Sequence, residues 1–489
     1  MLAWPFKSPA EGGMWAGLRT ETRKPAGIHH TSPLICMAIL AAVFLTSRLP
    51  AELAAVSGME EAARCFLGRF VEEFPAALEE GGALPVSPLS RTVSLGELQG
   101  ESLELGLRLL AARGAPAGFS ALLCQAAQCQ LLQDDLSPFH CPQEAEDDQE
   151  EEQPVALLQS EAVQRLFLNK LINVALAWHR NLPEPLPPPP RFLRCSVHAI
   201  KNTRRKMEDK HLALAEFNQL FGFKDREQCA YYAVFDGHGG VDAATYAATH
   251  LHVALSRQET LQRDPATALK QAFTHTDHMF RGKAKRERLR SGTTGVAVLI
   301  QGQQLTVAWL GDSQATLVRK GQAVTLMEPH KPDREDERQR IEDLGGCVTF
   351  MGCWRVNGTY AVSRAIGDFD QKPYVSGEAD CFTTQLSGDE DYVLLACDGF
   401  FDAVQPSEVP QLVLDALRQS DDPEGRWDAP LDPSEETVGV RVAQRLVAHA
   451  KAAGSCDNIT VMLVFLHPPE QLLAQSSAMG PAQDAPAHQ

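Results

Sequence analysis

Between Pro183 and Pro190 the chain places six prolines in eight residues. Proline locks φ near −65° and removes the backbone donor, so neither a helix nor a central strand passes through such a stretch. Polyproline II, a semi-rigid spacer, is the expected conformation. An SH3 ligand is the alternative reading, but a linker explains the composition fully. Residues 183–191 therefore read as a Pro-rich linker, and each side must build its own elements.

The two sides differ in hydrophobic period. Upstream, Ala63, Phe66, Leu67, Phe70 and Phe74 recur at helical spacing. Leu103 to Leu110 forms a second apolar-rich segment. Val163, Leu166, Phe167, Leu171, Val174, Ala175 and Trp178 form a third, with an i, i+3, i+4 pattern. Residues 59–182 thus read as a helical module whose faces either pack on the rest of the chain or hold a partner. Inside it, residues 144–152 carry seven acidic side chains in nine. Such a run is usually a solvated loop, with contact to a basic partner as the alternative. Residues 1–58 show no clear period and read as a disordered leader. Their apolar run from Leu34 to Leu45 is shorter than the ~20 residues a membrane-spanning helix needs. No stable membrane span is expected.

Downstream, from residue 192 to about 467, short β-branched runs alternate with turn signals. Ala230–Phe235, Gly295–Ile300, Leu305–Leu310, Ala315–Val318, Val393–Ala396 and Ile459–Phe465 read as strands. Val241–Leu255, Pro265–Met279, Glu335–Leu344 and Val438–Ala452 read as helices. Gly311-Asp312-Ser313 reads as a hairpin turn between two strands. The spacing fits an α+β or layered α/β/β/α domain. Residues 468–489, rich in Ala, Gln and Pro, read as a disordered tail.

With 45 basic against 63 acidic residues the net charge is −18. That argues against a nucleic-acid binder, which carries a basic field. One local exception is Arg281–Arg290, six basic residues in ten. It reads as a solvated helix face, a nuclear signal or a docking surface for acidic phosphopeptides. The 12 cysteines form no CxxC pair and read as reduced, mostly buried thiols, which favours the cytosol.

Two apolar strands end in Asp-Gly, at Asp236-Gly237 and at Asp398-Gly399. Asp457-Asn458 stands directly before a third, and Arg204 precedes the pair Glu208-Asp209. Each Asp-Gly alone reads first as an ordinary turn. Together, carboxylates without His or thiolate ligands suit hard cations, Mg2+ or Mn2+. Two such ions ~4 Å apart lower the pKa of a shared water and yield a nucleophile for a phosphate ester. Arg204 has the fork that orients phosphoryl oxygens, and His238 the proton a leaving alkoxide needs.

In order along the chain stand Arg204-x-x-Met-Glu-Asp209, Phe235-Asp-Gly-His-Gly239, Ser291-Gly-Thr-Thr-Gly295 and Gly311-Asp-Ser313. They are followed by Val356-Asn-Gly-Thr-Tyr-Ala-Val-Ser-Arg-Ala-Ile-Gly-Asp368, Asp398-Gly-Phe-Phe-Asp402 and Asp457-Asn458. This ordered set resembles the metal-dependent, type 2C, protein phosphatase family. The Ile200–Asp209 stretch, the Phe217–Gly222 segment and the upstream acidic run resemble a narrower branch, the calcium/calmodulin-dependent protein kinase phosphatases, also described as partners of PIX. Pro329 departs from the Asp that many members carry before the His. Tyr360 replaces a usual Leu, with packing consequences expected.

The resemblance implies a four-layer α/β/β/α sandwich of two antiparallel sheets flanked by helices, behind the N-terminal helical module. It implies a protein Ser/Thr phosphatase whose hydroxide is activated by two Mg2+ or Mn2+ ions, with a weaker third. Asp236 would bridge both ions, the Gly237 carbonyl would complete one shell, and Asp398 and Asp457 would bind the other ion. Glu208 and Asp209 would contact metal-bound waters, and Asp312 with Asp398 and Asp402 would form the third site. Arg204 would hold the substrate phosphate, His238 would act as general acid, and Asn458 would support the ligands from behind. Phosphorylated protein kinases, calmodulin-dependent and p21-activated among them, would be substrates, and a PIX-type adaptor would meet the N-terminal module. The location implied is cytoplasmic, and also nuclear if the basic run is a signal.

Overall fold

Every residue of the strands Cys229–Phe235, Gly295–Gln301, Glu390–Ala396 and Ile459–Phe465 is buried. An antiparallel strand usually shows one face to water and alternates in sequence. These strands have both faces covered, which is why they read as mostly apolar runs rather than alternating ones. The computed structural model describes residues 58–141, 156–183, 193–224, 226–418 and 441–478. The expected leader, acidic run 144–152, nearly all of the linker and the end of the tail lie outside the described residues.

The strands form two five-stranded antiparallel sheets. In the first the order is Asp380–Gln385, Gln304–Leu310, Gly295–Gln301, Cys229–Phe235 and Lys210–Leu214. In the second it is Gln322–Thr325, Gln314–Arg319, Glu390–Ala396, Ile459–Phe465 and Arg194–Ile200. The inner faces meet in one apolar layer, with Tyr232, Val234, Val298 and Val307 against Leu317, Val393, Leu395, Met462 and Val464. The outer face of the first sheet offers Tyr231, Ala233 and Phe235 to a core shared with helices Asp242–Ser256 and Pro265–Glu287. The outer face of the second offers Leu394, Leu463 and Phe465 to helices Val409–Arg418 and Val442–Ala452. This is the expected α/β/β/α sandwich. Full burial stabilises each Val, Leu or Phe by about 1.5–3 kcal/mol, so the three stacked apolar layers dominate what holds it together.

The upstream helices span 58–73, Leu95–Ala112, Ala117–Leu131 and Ser160–Arg180. Their apolar stripes, Phe66, Phe70, Leu105, Leu109, Phe119, Phe167 and Leu171, belong to the same buried cluster as Leu251, Leu255 and Phe273 of the sandwich. A short strand pair, Thr92–Ser94 with Leu157–Gln159, ties this unit together. Those six residues carried no readable strand signal.

Five expectations need correction. Gly311-Asp312-Ser313 is not a hairpin: Gln304–Leu310 lies in the first sheet and Gln314–Arg319 in the second. The turn carries the chain across the sandwich, with Gly311 at φ +88° and no room for a Cβ beside Thr294. The tail is not wholly disordered, since Pro469–Ala478 is a helix whose Leu472 packs under the second sheet. The helix expected to end at Met279 runs on to Glu287. It takes in most of the basic run, and Lys283 and Arg286 turn inward from it rather than lying on a solvated face. Among the described residues all cysteines are free, but Cys65, Cys129, Cys347, Cys353 and Cys456 are exposed.

Candidate active site

The ends of the central strands open into one cavity of about 820 Å³. Asp236 follows Cys229–Phe235, and Asp398 opens a one-turn helix after Glu390–Ala396. Asp457 precedes Ile459–Phe465, and Asp312 sits in the crossover between sheets. Strands from both sheets therefore aim carboxylates at one place. Two glycines make the approach possible. A Cβ on Gly237 would stand 2.5 Å from the Glu208 carbonyl oxygen, and one on Gly399 would stand 1.9 Å from that of Asn458. No larger residue fits at either position.

The Arg204 loop is held by Asn458. Its Nδ2 donates to the carbonyls of Lys201 (2.9 Å) and Lys206 (3.0 Å), and its Oδ1 accepts the Glu208 amide at 2.8 Å. Asn202 and Thr203 add bonds to the Ser455 and Cys456 carbonyls, at 2.6 and 2.5 Å. Arg204 itself pairs with Asp457. The loop is thus stapled to the strand that carries Asp457.

The carboxylates repel one another. Burial first, then the charges of Asp398 and Asp209, push Asp236 well above the usual carboxylate range. Burial and Asp398 push Asp312 up to about 7. Burial pushes Asp209 to about 6, against the Thr460 hydroxyl that donates to its Oδ2 at 2.6 Å. Asp398 is raised as well, burial again leading. Asp209 Oδ1 and Asp398 Oδ1 are buried with no hydrogen-bond partner. Orphaned anionic oxygens in a crowded acidic cluster are what a bound cation satisfies, so these residues fit a hard divalent ion. Cys397 lies within ligand distance of Asp209 and Asp236. Burial and the surrounding carboxylates push its thiol well up. Its sulfur is bonded to the Asn458 carbonyl and the Thr460 amide, and a soft sulfur suits a hard cation less than the carboxylates around it.

Of the residues singled out in the sequence, Arg204, Glu208, Asp236, Gly237, His238, Asp312, Asp398, Asp457 and Asn458 line the cavity. Asp209 is buried behind them, touching the Asp236 cluster. Asp402 stands apart, with a largely exposed side chain 3.6 Å from the Lys331 ammonium. The charges of Asp312, Asp402 and Asp398 raise Lys331 against its own desolvation, so a protein cation already answers part of that outer acidic group.

Asp368 and Arg355 carried no assigned role in the sequence, and Arg290 was named only as the end of the basic run Arg281–Arg290. Asp368 Oδ2 lies 2.7 Å from His238 Nε2. Burial would depress the imidazole, but the Asp368 bond and charge raise it overall. Asp368 closes the longest family-like segment and follows a glycine, as Asp236 precedes one; that was the available signal. Arg290 and Arg355 join Arg204, Arg205 and Lys206 in lining the cavity, giving an acidic floor a basic rim. Tyr360, expected to affect packing only, also lines it and meets the His238 ring in a T-shaped contact, centroids 5.9 Å apart.

The fold and this acidic, basic-rimmed site define a metal-dependent phosphoester hydrolase, and residues 193–459 match the family model for Protein phosphatase 2C. The chain belongs to that family: it is a metal-dependent protein serine/threonine phosphatase acting on phosphoproteins. It is 49% identical over 443 residues to Protein phosphatase 1F of Homo sapiens, covering 88% of this chain and 94% of that one. It is 50% identical over 379 residues to Protein phosphatase 1E of Homo sapiens, covering 78% and 48%. Both matches are longer than the phosphatase domain alone. Among solved structures, a C. elegans sex determining protein superposes with a TM-score of 0.63 at 23% identity, covering 86% of this chain and 97% of that one. Its likeness concerns the fold.

Proposed function

We propose that the chain removes phosphate from phosphoserine and phosphothreonine of autophosphorylated protein kinases, using two Mg2+ or Mn2+ ions. The observation that carries this is the convergence of Asp236, Asp398 and Asp457, with orphaned oxygens on Asp209 and Asp398, beneath the Arg204 guanidinium. Asp236 and the Gly237 carbonyl would hold one ion, and Asp236, Asp398 and Asp457 the other. Glu208 and Asp209 would order water around them. Asp312, Asp398 and Asp402 would hold a weaker third. Bound metal supplies charge neutralisation and an activated hydroxide.

The chain's own groups do the rest. Arg204 leaves Asp457 to take two phosphoryl oxygens with its fork. His238, with Nε2 engaged by Asp368, carries its available proton on Nδ1 and gives it to the leaving seryl or threonyl oxygen. The basic rim of Arg205, Lys206, Arg290 and Arg355 draws in the phosphorylated segment. Kinase substrates, calmodulin-dependent and p21-activated among them, are supported by the branch resemblance. A PIX-type adaptor would meet the helices upstream of the phosphatase domain, in the cytoplasm and, given the basic run, the nucleus.

The test is phosphate release from a phosphorylated calmodulin-dependent kinase, with and without Mn2+. We expect turnover that needs the ion and that Asp398→Asn abolishes. Metal-independent turnover would overturn the metal reading. Release from phosphopeptides but not from the kinase would overturn the substrate reading.

A further inference from the structure

The basic run after Met279 has a role its composition hides. Lys283 and Arg286 lie in the last turns of helix Pro265–Glu287 and reach into the upstream helical unit. Arg286 stands 3.2 Å from Glu97, and Lys283 3.7 Å from Glu101. Ser90 Oγ links the second pair, donating to Glu101 at 2.6 Å and accepting from Lys283 at 2.6 Å. Glu97 and Glu101 are 1% and 3% exposed. Both sit on helix Leu95–Ala112, which approaches through glycines. A Cβ on Gly96 would meet Met279 Cε at 2.6 Å, and one on Gly100 would meet His250 Nδ1 at 2.4 Å. Burial would raise Glu97, but the Ser94 amide and the Arg286 and Lys283 charges hold it below its ordinary value, so it is ionised.

The same helix holds the catalytic wall. Its Asp277 accepts the Gly367 amide at 2.8 Å, directly before Asp368. Beyond its end, Arg290 lines the cavity. Ser291 Oγ accepts the Ala243 amide at 3.1 Å, at the start of the helix that follows His238. Gly292 pairs with His238 on one side and Gly367 on the other. Thr293 and Thr294 donate to the Asp236 carbonyl, each at 2.9 Å. The two partners of the His238–Asp368 bond are thus both fastened to one helix and its continuation. The upstream unit grips that helix by buried charge pairs near its end. Buried charge pairs are geometrically demanding, because loss of one partner leaves the other uncompensated.

We infer that Glu97 and Glu101 are positioning residues of the phosphatase site: through Arg286 and Lys283 the upstream helices brace helix Pro265–Glu287 and so align His238 with Asp368. This rests on the proposed general-acid role of His238.

The test uses the full chain and two substrates. A phosphothreonine peptide has an alkoxide leaving group that needs a proton. p-Nitrophenyl phosphate has a leaving group that needs little. Glu97→Gln keeps a residue able to serve at this helix start and removes the charge. Assayed below its melting range, it is expected to lose ~10-fold in kcat on the peptide and under ~2-fold on the aryl ester. Arg286→Met should show the same split. Glu97→Asp, which keeps the charge, should restore most of the peptide rate. Equal losses on both substrates, or none, would mean that the pairs only hold the fold, and the inference falls. His238→Gln runs alongside. Selective loss there with no selectivity in Glu97→Gln defeats the bracing alone, whereas equal loss in His238→Gln defeats the acid assignment and the bracing together. Should Glu97→Gln not fold, Lys283→Gln carries the same expectation and the same overturning result.

Discussion

His238 and Asp368 stand 130 positions apart in the chain and 2.7 Å apart at the wall of the active-site cavity. Asp368 is 1% exposed and adopts φ +48°, a left-handed conformation that Asp tolerates better than most residues. Its backbone is held there by Gly367, whose amide is bound to Asp277. The carboxylate stabilises the imidazolium and orients it.

That arrangement sets a pH limit on turnover. Burial depresses His238 and Asp368 raises it, with a net upward shift, so the proton persists to higher pH and activity falls as pH rises through the raised pKa. Asp368→Asn should move this basic limb of the kcat profile to lower pH and cost ~10-fold on a phosphothreonine peptide near pH 8. A pH–rate profile of both proteins checks it; an unmoved limb would separate Asp368 from the proton transfer.

Metal removal should destabilise the fold through the repulsion among Asp236, Asp398, Asp209 and Asp312. Saturating Mn2+ at 100 times its Kd should add about 2.7 kcal/mol. In a chelator, Asp398→Asn should melt at or above the wild-type temperature, since it removes one of the repelling charges, while turnover falls at least ~100-fold. Thermal melts with and without chelator decide it, and a mutant that melts clearly lower would count against the repulsion.

Glu337 is 1% exposed and bonded to Arg364 at 2.7 Å and Arg340 at 3.0 Å. Burial would raise its carboxyl, yet these guanidinium bonds lower it from about 4.5 to about 2. A depressed folded-state value stabilises above the unfolded value and is lost as pH falls from about 4.5 toward about 2. Glu337→Gln should therefore cost ~3 kcal/mol at pH 7. Denaturant unfolding at pH 7 and pH 3 should show that difference shrinking in acid.

Asn458 satisfies two part-buried backbone carbonyls and the Glu208 amide at once. Asn458→Ala should cost ~1–2 kcal/mol, because water can reach part of what the amide leaves unpaired. Because it frees the Arg204 loop, KM for a phosphopeptide should rise more than KM for p-nitrophenyl phosphate, whose small body makes fewer rim contacts. Steady-state kinetics on the two substrates test this.

Much of the fold was legible because its physics is local. Ile459–Phe465 and Gly295–Gln301 are covered on both faces, so burial wrote a mostly apolar, non-alternating run into each. Asp236 and Asp398 were legible because a carboxylate ending such a run must stand where strands stop. Arg204 and Glu208 were found through the ordered motif set rather than through any period of their own.

What local chemistry could not carry was decided by packing. Gly311-Asp312-Ser313 has the composition of a hairpin turn, and only the pairing of Gln314–Arg319 with Glu390–Ala396 makes it a crossover. Asp368 meets His238 because a three-stranded ribbon brings Ile366–Gly367, Gly292–Thr293 and Gly237–His238 side by side. Lys283 and Arg286 looked like solvated charges because Glu101 and Glu97, the buried carboxylates they meet, lie more than 180 residues upstream. By itself, then, the sequence determined the central strands, most of the helices and their apolar layers, since each depends on neighbours within a few residues, and the order of its motifs from Arg204 to Asn458 determined the chemical class of the site. Tertiary structure alone decided which sheet each strand joined, which carboxylate holds the histidine and which charges face inward, because those depend on side chains that meet only when the layers close.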